Sequence, residues 1–199
     1  MDLTSRFDTA LVYASAQHRA QRRKGTDIPY VAHLLAVAGL ALEHGATEDE
    51  AIAALLHDVI EDQGVRFEEL EKLFGRAVAE IVRGCSDTDV TPKPPWRERK
   101  EQYIKHVRES SSSVRLVSMC DKLHNARAIL SDLRVHGDAL WSRFTGGRAG
   151  SLWYYRALVE TYGAAGITST TRPLLDEFDR TVSEIEENSD GILVGREEQ

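Results

Sequence analysis

The 199-residue sequence predicts an all-α bundle, and three observations support this prediction. Apolar residues recur at spacings of three and four along most of the chain, which is typical of amphipathic helices. Caps and breakers separate these segments, as Gly45 and Thr47 do between two of them. No series of alternating apolar and polar residues indicates a set of strands. With 42% hydrophobic residues, the chain has enough apolar side chains to form a substantial core.

Residues that are typical of helix starts predict where the first two helices begin. Thr4 or Ser5 can cap a helix over residues 4–22, because a side-chain oxygen at that position accepts a hydrogen bond from a free backbone N–H group. Pro29 suits the first turn of a second helix, which extends to about Glu43.

The next segment contains a third helix with a clear start. Thr47 and Glu50 have the spacing of a capping box, in which each side chain bonds to the other residue's backbone N–H group. Gly64 interrupts this helix. Residues 66–84 then predict either one helix broken near Gly75 or two short helices.

The second half of the chain is punctuated by proline, serine and glycine. Three prolines make residues 88–95 the clearest loop, and the serine run at 110–113 can cap the helix that follows. Within residues 136–150, the pair Gly146 and Gly147 and the nearby Gly150 predict a turn-rich surface loop. The remaining helices are expected over residues 96–109, 114–134, 151–164 and 171–187.

We expect residues 1–187 to form one domain and the polar residues 188–199 to form a flexible C-terminal tail. No apolar run approaches the roughly 20 residues that span a bilayer, and the N-terminus lacks a secretory signal pattern. The two cysteines, Cys85 and Cys120, lie in apolar helical contexts. We interpret them as reduced structural thiols rather than a disulfide or metal site, and we expect a cytoplasmic protein without membrane contact.

The formal net charge of −7 argues against general nucleic-acid binding, which usually requires a basic surface. Positive charge is nevertheless concentrated locally, in two clusters. Each cluster is either a solvated surface or a holder for a compact polyanion such as a nucleotide phosphate. Their members are Arg19, Arg22, Arg23 and Lys24 in the first, and Lys93, Arg97, Arg99, Lys100 and Lys105 in the second.

The most informative motif places His57 and Asp58 at the end of an apolar helical run, with the acidic pair Glu61 and Asp62 one turn later. A buried helix rarely carries such groups without compensation, and a bound cation is the usual compensation. Residues four apart share a helix face, so His57 should align with Glu61 and Asp58 with Asp62. Taken alone, the motif also fits a helix end with exposed acids and one satisfied histidine.

Two residues elsewhere favour the metal hypothesis. His33 and Asp121 each lie in an otherwise apolar helical run, where each alone would be structural. Joined with His57 and Asp58 they form a mixed nitrogen and oxygen ligand set, which suits Mn²⁺, Fe²⁺ or Zn²⁺ better than Ca²⁺. Such an ion can acidify a bound water, and the acidic pair would remain for proton transfer. This chemistry fits hydrolysis at phosphorus.

These motifs together resemble a known family. The set of His33, His57, Asp58 and Asp121 resembles the ligand pattern of the HD-domain phosphohydrolases, which are helical bundles. The flanking residues are more specific, because three segments are similar to the motifs of the (p)ppGpp pyrophosphohydrolases, the alarmone hydrolases of the Rel/Spo stringent-response enzymes. The resemblance covers roughly residues 5–165, and its motifs are Gln21–Gly25 with Pro29–His33, His57–Asp62, and Asp121–Arg127.

The resemblance implies a single-domain small alarmone hydrolase that uses one Mn²⁺ ion. Its substrate would be a small nucleotide, ppGpp or pppGpp, from which it removes the 3′-pyrophosphate. The implied ligands of Mn²⁺ are His33, His57, Asp58 and Asp121, and Glu61 and Asp62 are the implied catalytic acids. The implied substrate-binding residues are Arg23, Lys24 and Asn125, and we add Arg148 from the glycine-rich stretch before residue 151.

Two alternatives stay open at the level of sequence. The same chemistry could act on another nucleotide, for instance by removing the 2′-phosphate of NADPH. The chain could also be a non-catalytic nucleotide sensor, although a sensor has no need of an intact acidic pair. The sequence also leaves open whether the chain forms a homo-oligomer.

Overall fold

The fold was analysed in a computed structural model, which describes residues 2–86, 92 and 94–194. Within these residues the secondary structure is helical, apart from one isolated antiparallel bridge between Arg22 and Pro29. The all-α prediction is therefore confirmed. The helices are α1 (Ser5–Gln17), α2 (Val31–Glu43), α3 (Glu48–Leu56), α4 (Val59–Gln63), α5 (Phe67–Phe74), α6 (Arg76–Cys85), α7 (Trp96–Glu109), α8 (Ser112–His136), a 3-10 helix (Gly137–Arg143), α9 (Gly147–Ala164) and α10 (Arg172–Val194).

The chain divides into two compact units. The first comprises Met1–Pro94 and Glu109–Asp121, and the second comprises Pro95–Arg108 and Lys122–Gln199. Helix α8 contributes residues to both. Within the described part of the chain, no helix combines the length and the apolar character needed to cross a membrane.

The core of the first unit is built around α3. All six residues from Ala51 to Leu56 are fully buried, because α1, α2 and α6 each pack against this helix. The alanines allow close approach of the neighbouring helices, while leucine and isoleucine supply most of the buried apolar area. Thr47 and Glu50 form the predicted capping box at the start of α3. The buried helix therefore ends in a fixed position, directly before His57.

Glycines end several of the helices as the sequence predicts. Gly45 follows α2 with φ +81° and Gly64 follows α4 with φ +67°, a region that residues with a Cβ rarely adopt. Gly75, with φ +90°, separates α5 from α6. The alternative of two short helices over residues 66–84 is therefore confirmed.

The predicted end of the first helix at residue 22 is wrong. Helix α1 ends at Gln17, and the following residues fold back in a tight turn instead. The N–H group of Arg23 donates to the carbonyl of Ile28 at 2.9 Å, and that of Tyr30 donates to the carbonyl of Gln21 at 3.0 Å. These two bonds remove residues 21–23 from a helical path. We call residues 21–30 the basic turn, since Arg22, Arg23 and Lys24 lie in it.

Three further boundaries differ from the predictions. Helix α8 begins at Ser112, two residues before the predicted start, and Ser111 in the serine run accepts a hydrogen bond from the N–H group of Val114 as expected. Helix α9 begins at Gly147 rather than residue 151. Helix α10 extends to Val194, into the predicted tail, and the side chain of Ser189 is buried. Residues 195–199 and most of the predicted proline loop lie outside the described residues.

Aromatic residues dominate the second unit. Helices α9 and α10 pack together around the buried rings of Tyr162 and Phe178, whose centroids lie 6.1 Å apart. The ring of Trp96 lies against Gly146 and Gly150, and a Cβ atom at Gly146 would come within 2.6 Å of it. Glycine is therefore needed at Gly146 for close packing rather than for flexibility.

The capping box offers a direct test of what fixes α3. We expect Thr47→Ala to lower the free energy of unfolding by about 1 kcal/mol, because it removes the side-chain acceptor at the start of a buried helix. Urea denaturation followed by circular dichroism would measure this change. The matched control is Thr9→Ala, which removes a hydroxyl on the exposed side of α1 that bonds only to the carbonyl of Ser5. Equal stability of the two variants would contradict the assignment.

Candidate metal centre

Four side chains from three parts of the first unit meet at one point. His33 comes from α2, His57 and Asp58 from the junction of α3 and α4, and Asp121 from α8. The Nε2 atom of His33 lies 3.2 Å from Oδ1 of Asp121 and 3.8 Å from Oδ2 of Asp58. The Nε2 atom of His57 lies 2.9 Å from Oδ2 of Asp58 and 3.7 Å from Oδ1 of Asp121. The structure thus brings together the four residues that the sequence analysis selected as ligands.

A break in the helix aims two of these side chains at the same point. Helix α3 ends at Leu56, and α4 begins only at Val59. Asp58 between them has φ −103° and ψ 0°, a sparsely populated conformation in which active-site residues are often found. Without this break, two consecutive helical residues would point about 100° apart around the axis.

The break also corrects the spacing argument. We predicted one continuous helix in which His57 aligns with Glu61 and Asp58 with Asp62. His57 precedes the break, so its alignment with Glu61 does not follow from helical periodicity. Asp58 and Asp62 do share a helical turn, because the N–H group of Asp62 donates to the carbonyl of Asp58 at 2.9 Å.

The imidazole of His57 is held with one nitrogen toward the cluster. Its Nδ1 atom lies 2.8 Å from the carbonyl oxygen of Ala54, which can only accept, so Nδ1 carries the proton. The Nε2 atom is buried and makes no contact of hydrogen-bond geometry within the described residues, although Asp58 is close. A backbone carbonyl on one nitrogen, with the other nitrogen directed at the cluster, is the usual arrangement of a metal-binding histidine.

Tyr30 orients the carboxylate of Asp58. The tyrosine hydroxyl donates to Oδ2 of Asp58 at 2.5 Å. Burial and the charge of Asp58 raise the pKa of Tyr30, so the hydroxyl stays protonated and remains a donor. Tyr30 lies one helical turn before His33, and the two rings pack edge to face. The sequence analysis did not select Tyr30 as a site residue, although this spacing from His33 was a signal for it.

The electrostatics of the cluster favour a cation. Burial lowers the pKa of His33, so its ring is neutral and can act as a ligand. Burial also acts to lower the pKa of His57, but the charges of Asp58 and Asp121 outweigh it and raise that pKa well above its ordinary value. Burial acts to raise the pKa of Asp58, but the interaction with His57 outweighs it and lowers that pKa. Two carboxylates in a largely buried position therefore stabilise positive charge at the point between them.

The donor set fits a divalent metal ion. One ligand atom each from His33, His57 and Asp58 lie within 4.8 Å of one another. Metal–ligand bonds of about 2.0–2.3 Å place opposite ligands about 4–4.6 Å apart, so small side-chain movements suffice. Oδ1 of Asp121 lies 3.2 Å from Nε2 of His33 and 3.7 Å from Nε2 of His57, and both distances are shorter than this span. The cluster can hold a divalent ion.

The acidic pair lies on α4, directly after the cluster. Glu61 is half-buried and Asp62 is exposed. Partial desolvation of its carboxyl group and the nearby charge of Asp58 raise the pKa of Asp62. Its Oδ2 atom accepts a hydrogen bond of 2.7 Å from the side-chain amide of Gln21 in the basic turn. Sequence periodicity gave no sign of this contact, because Gln21 is 41 residues away.

The predicted substrate-binding residues fall into two groups. Arg23 and Lys24 lie in the basic turn, and the guanidinium of Arg23 lies over the ring of Tyr30, 5.8 Å from its centroid. Arg23 is thus near the cluster, and Lys24 is exposed. Asn125 and Arg148 belong to the second compact unit, on α8 and in the first turn of α9. Substrate contacts of all four stay predictions.

The fold and this cluster define a class of protein. A family model described as HD domain matches residues 10–151 of this chain. The chain is also 38% identical over 143 residues to the guanosine-3′,5′-bis(diphosphate) 3′-pyrophosphohydrolase MESH1 of Drosophila melanogaster, which covers 70% of this chain and 76% of that protein. The chain therefore belongs to the HD-domain family of hydrolases.

A solved structure and a bacterial enzyme are also similar to this chain. A solved structure of a metazoan ortholog of SpoT, which hydrolyzes ppGpp and plays a role in starvation responses, superposes with a TM-score of 0.74 and 34% identity. That match covers 90% of this chain and 97% of the other. The chain is also 34% identical over 134 residues to the bifunctional (p)ppGpp synthase/hydrolase SpoT of Escherichia coli strain K12. This second match covers 64% of the chain and 18% of SpoT.

Loss of one carboxylate should weaken metal binding. We expect Asp121→Asn to lower the affinity for Mn²⁺ more than about tenfold, since even groups outside the ligand shell typically contribute roughly 10- to 100-fold. Titration calorimetry of metal-free protein would measure the affinity. Asp8→Asn, which changes an exposed acid on α1, provides the control. Equal Mn²⁺ affinity in Asp121→Asn and the control would contradict the ligand set.

Removal of the hydroxyl of Tyr30 should have a smaller effect of the same sign. We expect Tyr30→Phe to weaken Mn²⁺ binding about tenfold, because the Asp58 carboxylate loses the donor that orients it. The matched control is Tyr13→Phe, which removes a hydroxyl that donates to Glu69 at 2.6 Å elsewhere in the unit. The same titrations apply, and an unchanged affinity in Tyr30→Phe would show that the hydrogen bond does not serve the metal.

Proposed function

We propose that this chain hydrolyses the 3′-pyrophosphate of ppGpp and pppGpp in a manganese-dependent reaction, releasing GDP or GTP and pyrophosphate. The observation that carries the proposal is the cluster of His33, His57, Asp58 and Asp121 with Glu61 and Asp62 immediately after it. Similarity to MESH1 and SpoT supports the choice of substrate. We further propose a cytoplasmic location.

The proposed ligands are the two imidazole Nε2 atoms and the carboxylates of Asp58 and Asp121. Two nitrogen and two oxygen donors suit Mn²⁺, and these four protein ligands would leave room on the ion for water and a phosphate oxygen. When bound, the ion lowers the pKa of a water molecule and draws charge from the phosphoryl oxygens. The protein's own contribution is to fix the donors: Ala54 holds the ring of His57, and Tyr30 holds the carboxylate of Asp58.

The reaction replaces one bond to phosphorus by another. The oxygen of water bonds to the phosphorus atom attached to the 3′ oxygen, and the bond from that phosphorus to the 3′ oxygen breaks. Pyrophosphate leaves, and one proton of the water ends on the 3′ oxygen of GDP or GTP. Two proton transfers are therefore needed, one from the attacking water and one to the leaving oxygen.

Glu61 and Asp62 are the proposed proton carriers. Both lie within one turn of Asp58 on α4, so their carboxyl groups are near the attacking water but are not needed as ligands. The pKa of Asp62 is raised, which moves it toward neutral pH, where a group both accepts and releases protons more readily. A metal-binding protein without catalysis would have no requirement for these two acids.

Basic residues complete the proposed site. Substrates with four or five phosphates are strongly anionic, and the chain as a whole carries a net charge of −7. Arg23 and Lys24 in the basic turn provide local positive charge beside the cluster and would bind phosphate oxygens. Asn125 is proposed to contact the nucleotide on the strength of the family resemblance, and Arg148 because it lies in the glycine-rich stretch before residue 151.

Replacing either acid tests the proposal. In saturating Mn²⁺, we expect Glu61→Gln and Asp62→Asn each to lower kcat for ppGpp about 10²- to 10⁴-fold, the range that general acid–base groups contribute, without loss of Mn²⁺. Product analysis by ion-exchange chromatography would measure turnover of ppGpp, pppGpp and NADPH. The control is Glu68→Gln, which alters an exposed acid on α5.

The outcomes of this experiment separate the candidate functions. Turnover of ppGpp that neither acid variant reduces would contradict the proposed roles of Glu61 and Asp62. Preferential turnover of NADPH would instead favour removal of its 2′-phosphate. Binding of ppGpp without turnover of any of the three nucleotides by the unaltered protein would favour a nucleotide sensor.

A further inference from the structure

A network of polar side chains in the first unit surrounds the amide of Gln21. Its Nε2 atom donates to Oδ2 of Asp62 at 2.7 Å. Its Oε1 atom lies 2.6 Å from Nδ1 of His18 and 2.5 Å from Nε2 of Gln63. The four residues come from the end of α1, the basic turn and α4, so the network joins two adjacent segments to α4, which is 41 residues away from Gln21 at Asp62.

The chemistry of the groups assigns a direction to the three hydrogen bonds made by the side-chain amide of Gln21. A side-chain amide nitrogen only donates, so Gln63 donates to Oε1 of Gln21. The carbonyl oxygen of Gln21 only accepts, so Nδ1 of His18 must carry a proton to bond with it. With its oxygen occupied by two donors, the amide of Gln21 has its NH₂ group directed at Asp62. A flipped amide would bring donors against donors and leave the carboxylate facing an oxygen.

Packing keeps His18 in place. The side chain is 2% exposed, and its ring stacks on that of Tyr30 with an interplanar angle of 18° and a centroid distance of 5.2 Å. Its Nε2 atom is buried and has no hydrogen-bond partner among the described residues. A buried nitrogen without a hydrogen bond is energetically unfavourable. The histidine is therefore an unfavourable way to fill this space, and its Nδ1 atom lies 2.6 Å from Oε1 of Gln21 and 3.3 Å from Nε2 of Gln63.

The basic turn connects this network to the metal cluster. The carbonyl of Gln21 accepts from the N–H group of Tyr30 at 3.0 Å, and the hydroxyl of Tyr30 donates to Asp58. One short turn thus supplies the donors for two carboxylates, the proposed ligand Asp58 and the proposed acid Asp62. The two carboxylates consequently keep a fixed spacing and orientation relative to one another.

We propose that Gln21, held by His18 and Gln63, is a positioning residue for Asp62. The hydrogen bond occupies Oδ2 and leaves Oδ1 of this exposed carboxylate as the oxygen that exchanges a proton with substrate or water. Without the bond, the Asp62 side chain would rotate freely among its rotamers, and only part of the population would have Oδ1 in the productive position. The inference rests on the proposed function, because it assigns Gln21 a role through the acid Asp62.

The test is a double-mutant cycle of Gln21→Leu and Asp62→Asn, assayed with ppGpp and saturating Mn²⁺. We expect Gln21→Leu to lower kcat about 10- to 100-fold with KM changed less than about twofold, since a misplaced group costs this much in rate. In the Asp62→Asn background the same substitution should have no further effect on kcat. Mn²⁺ affinity from titration should stay unchanged, and a crystal structure of Gln21→Leu should show Asp62 in more than one rotamer.

Two additional variants show whether a loss in kcat comes from the missing hydrogen bond to Asp62. Gln21→Glu keeps the acceptor for His18 and Gln63 but cannot donate to ionised Asp62, so it should reproduce the loss in kcat even if the leucine variant folds poorly. Gln102→Leu is the matched control, because it removes an amide-to-carboxylate bond of 3.2 Å to Glu98 on α7 and should leave kcat unchanged.

The possible failures are distinguishable. If Asp62→Asn lowers kcat but neither Gln21 variant does, the positioning role is wrong and the proposed function stands. If the effects of Gln21→Leu and Asp62→Asn on kcat multiply, Gln21 acts independently of Asp62 and the inference is overturned. If Asp62→Asn itself leaves kcat unchanged, the proposed role of the acid fails first, and the role of Gln21 fails with it.

Discussion

Mutual attraction between two carboxylates and positive charge is the interaction on which the rest of this site depends. Asp58 and Asp121 approach the same pair of buried imidazoles, where two negative charges without a counter-charge would be strongly unfavourable. The features around this cluster orient the side chains that point into it. The helix breaks between Leu56 and Val59, and backbone and tyrosine groups fix the ligands. The apolar residues of α3 form the rigid support.

The basic turn is the second organising feature, because it links the proposed binding groups to the proposed catalytic acid. It carries Arg23 and Lys24, and it also holds Gln21 against Asp62 and Tyr30 against Asp58. A substrate phosphate bound by the basic residues would therefore contact the same short segment that orients the two carboxylates. The same short segment would therefore position both the proposed phosphate-binding residues and the proposed proton-transfer residue Asp62.

Sequence reasoning succeeded where local rules operate. The Thr47 cap and the left-handed Gly45 and Gly64 follow from short-range chemistry, and apolar periodicity indicated the α-helices but not the 3-10 helix Gly137–Arg143. The convergence of His33, His57, Asp58 and Asp121 was predictable because each of them interrupts an apolar run. The break at His57 was missed because no glycine or proline marks it. The early end of α1 was missed because the bonds that form the basic turn, from Arg23 to Ile28 and from Tyr30 to Gln21, have no periodic pattern. The network around Gln21 was invisible for the same reason: hydrogen bonds between residues 41 positions apart leave no periodic signature.

The most direct test of the central claim is a crystal structure of the protein grown with Mn²⁺, with the ion located by its anomalous scattering. The account predicts a single strong peak bonded at about 2.0–2.3 Å to Nε2 of both His33 and His57 and to one oxygen each of Asp58 and Asp121. A Mn²⁺ ion bound elsewhere, or a saturated crystal in which any of these four side chains points away from the ion, would contradict it.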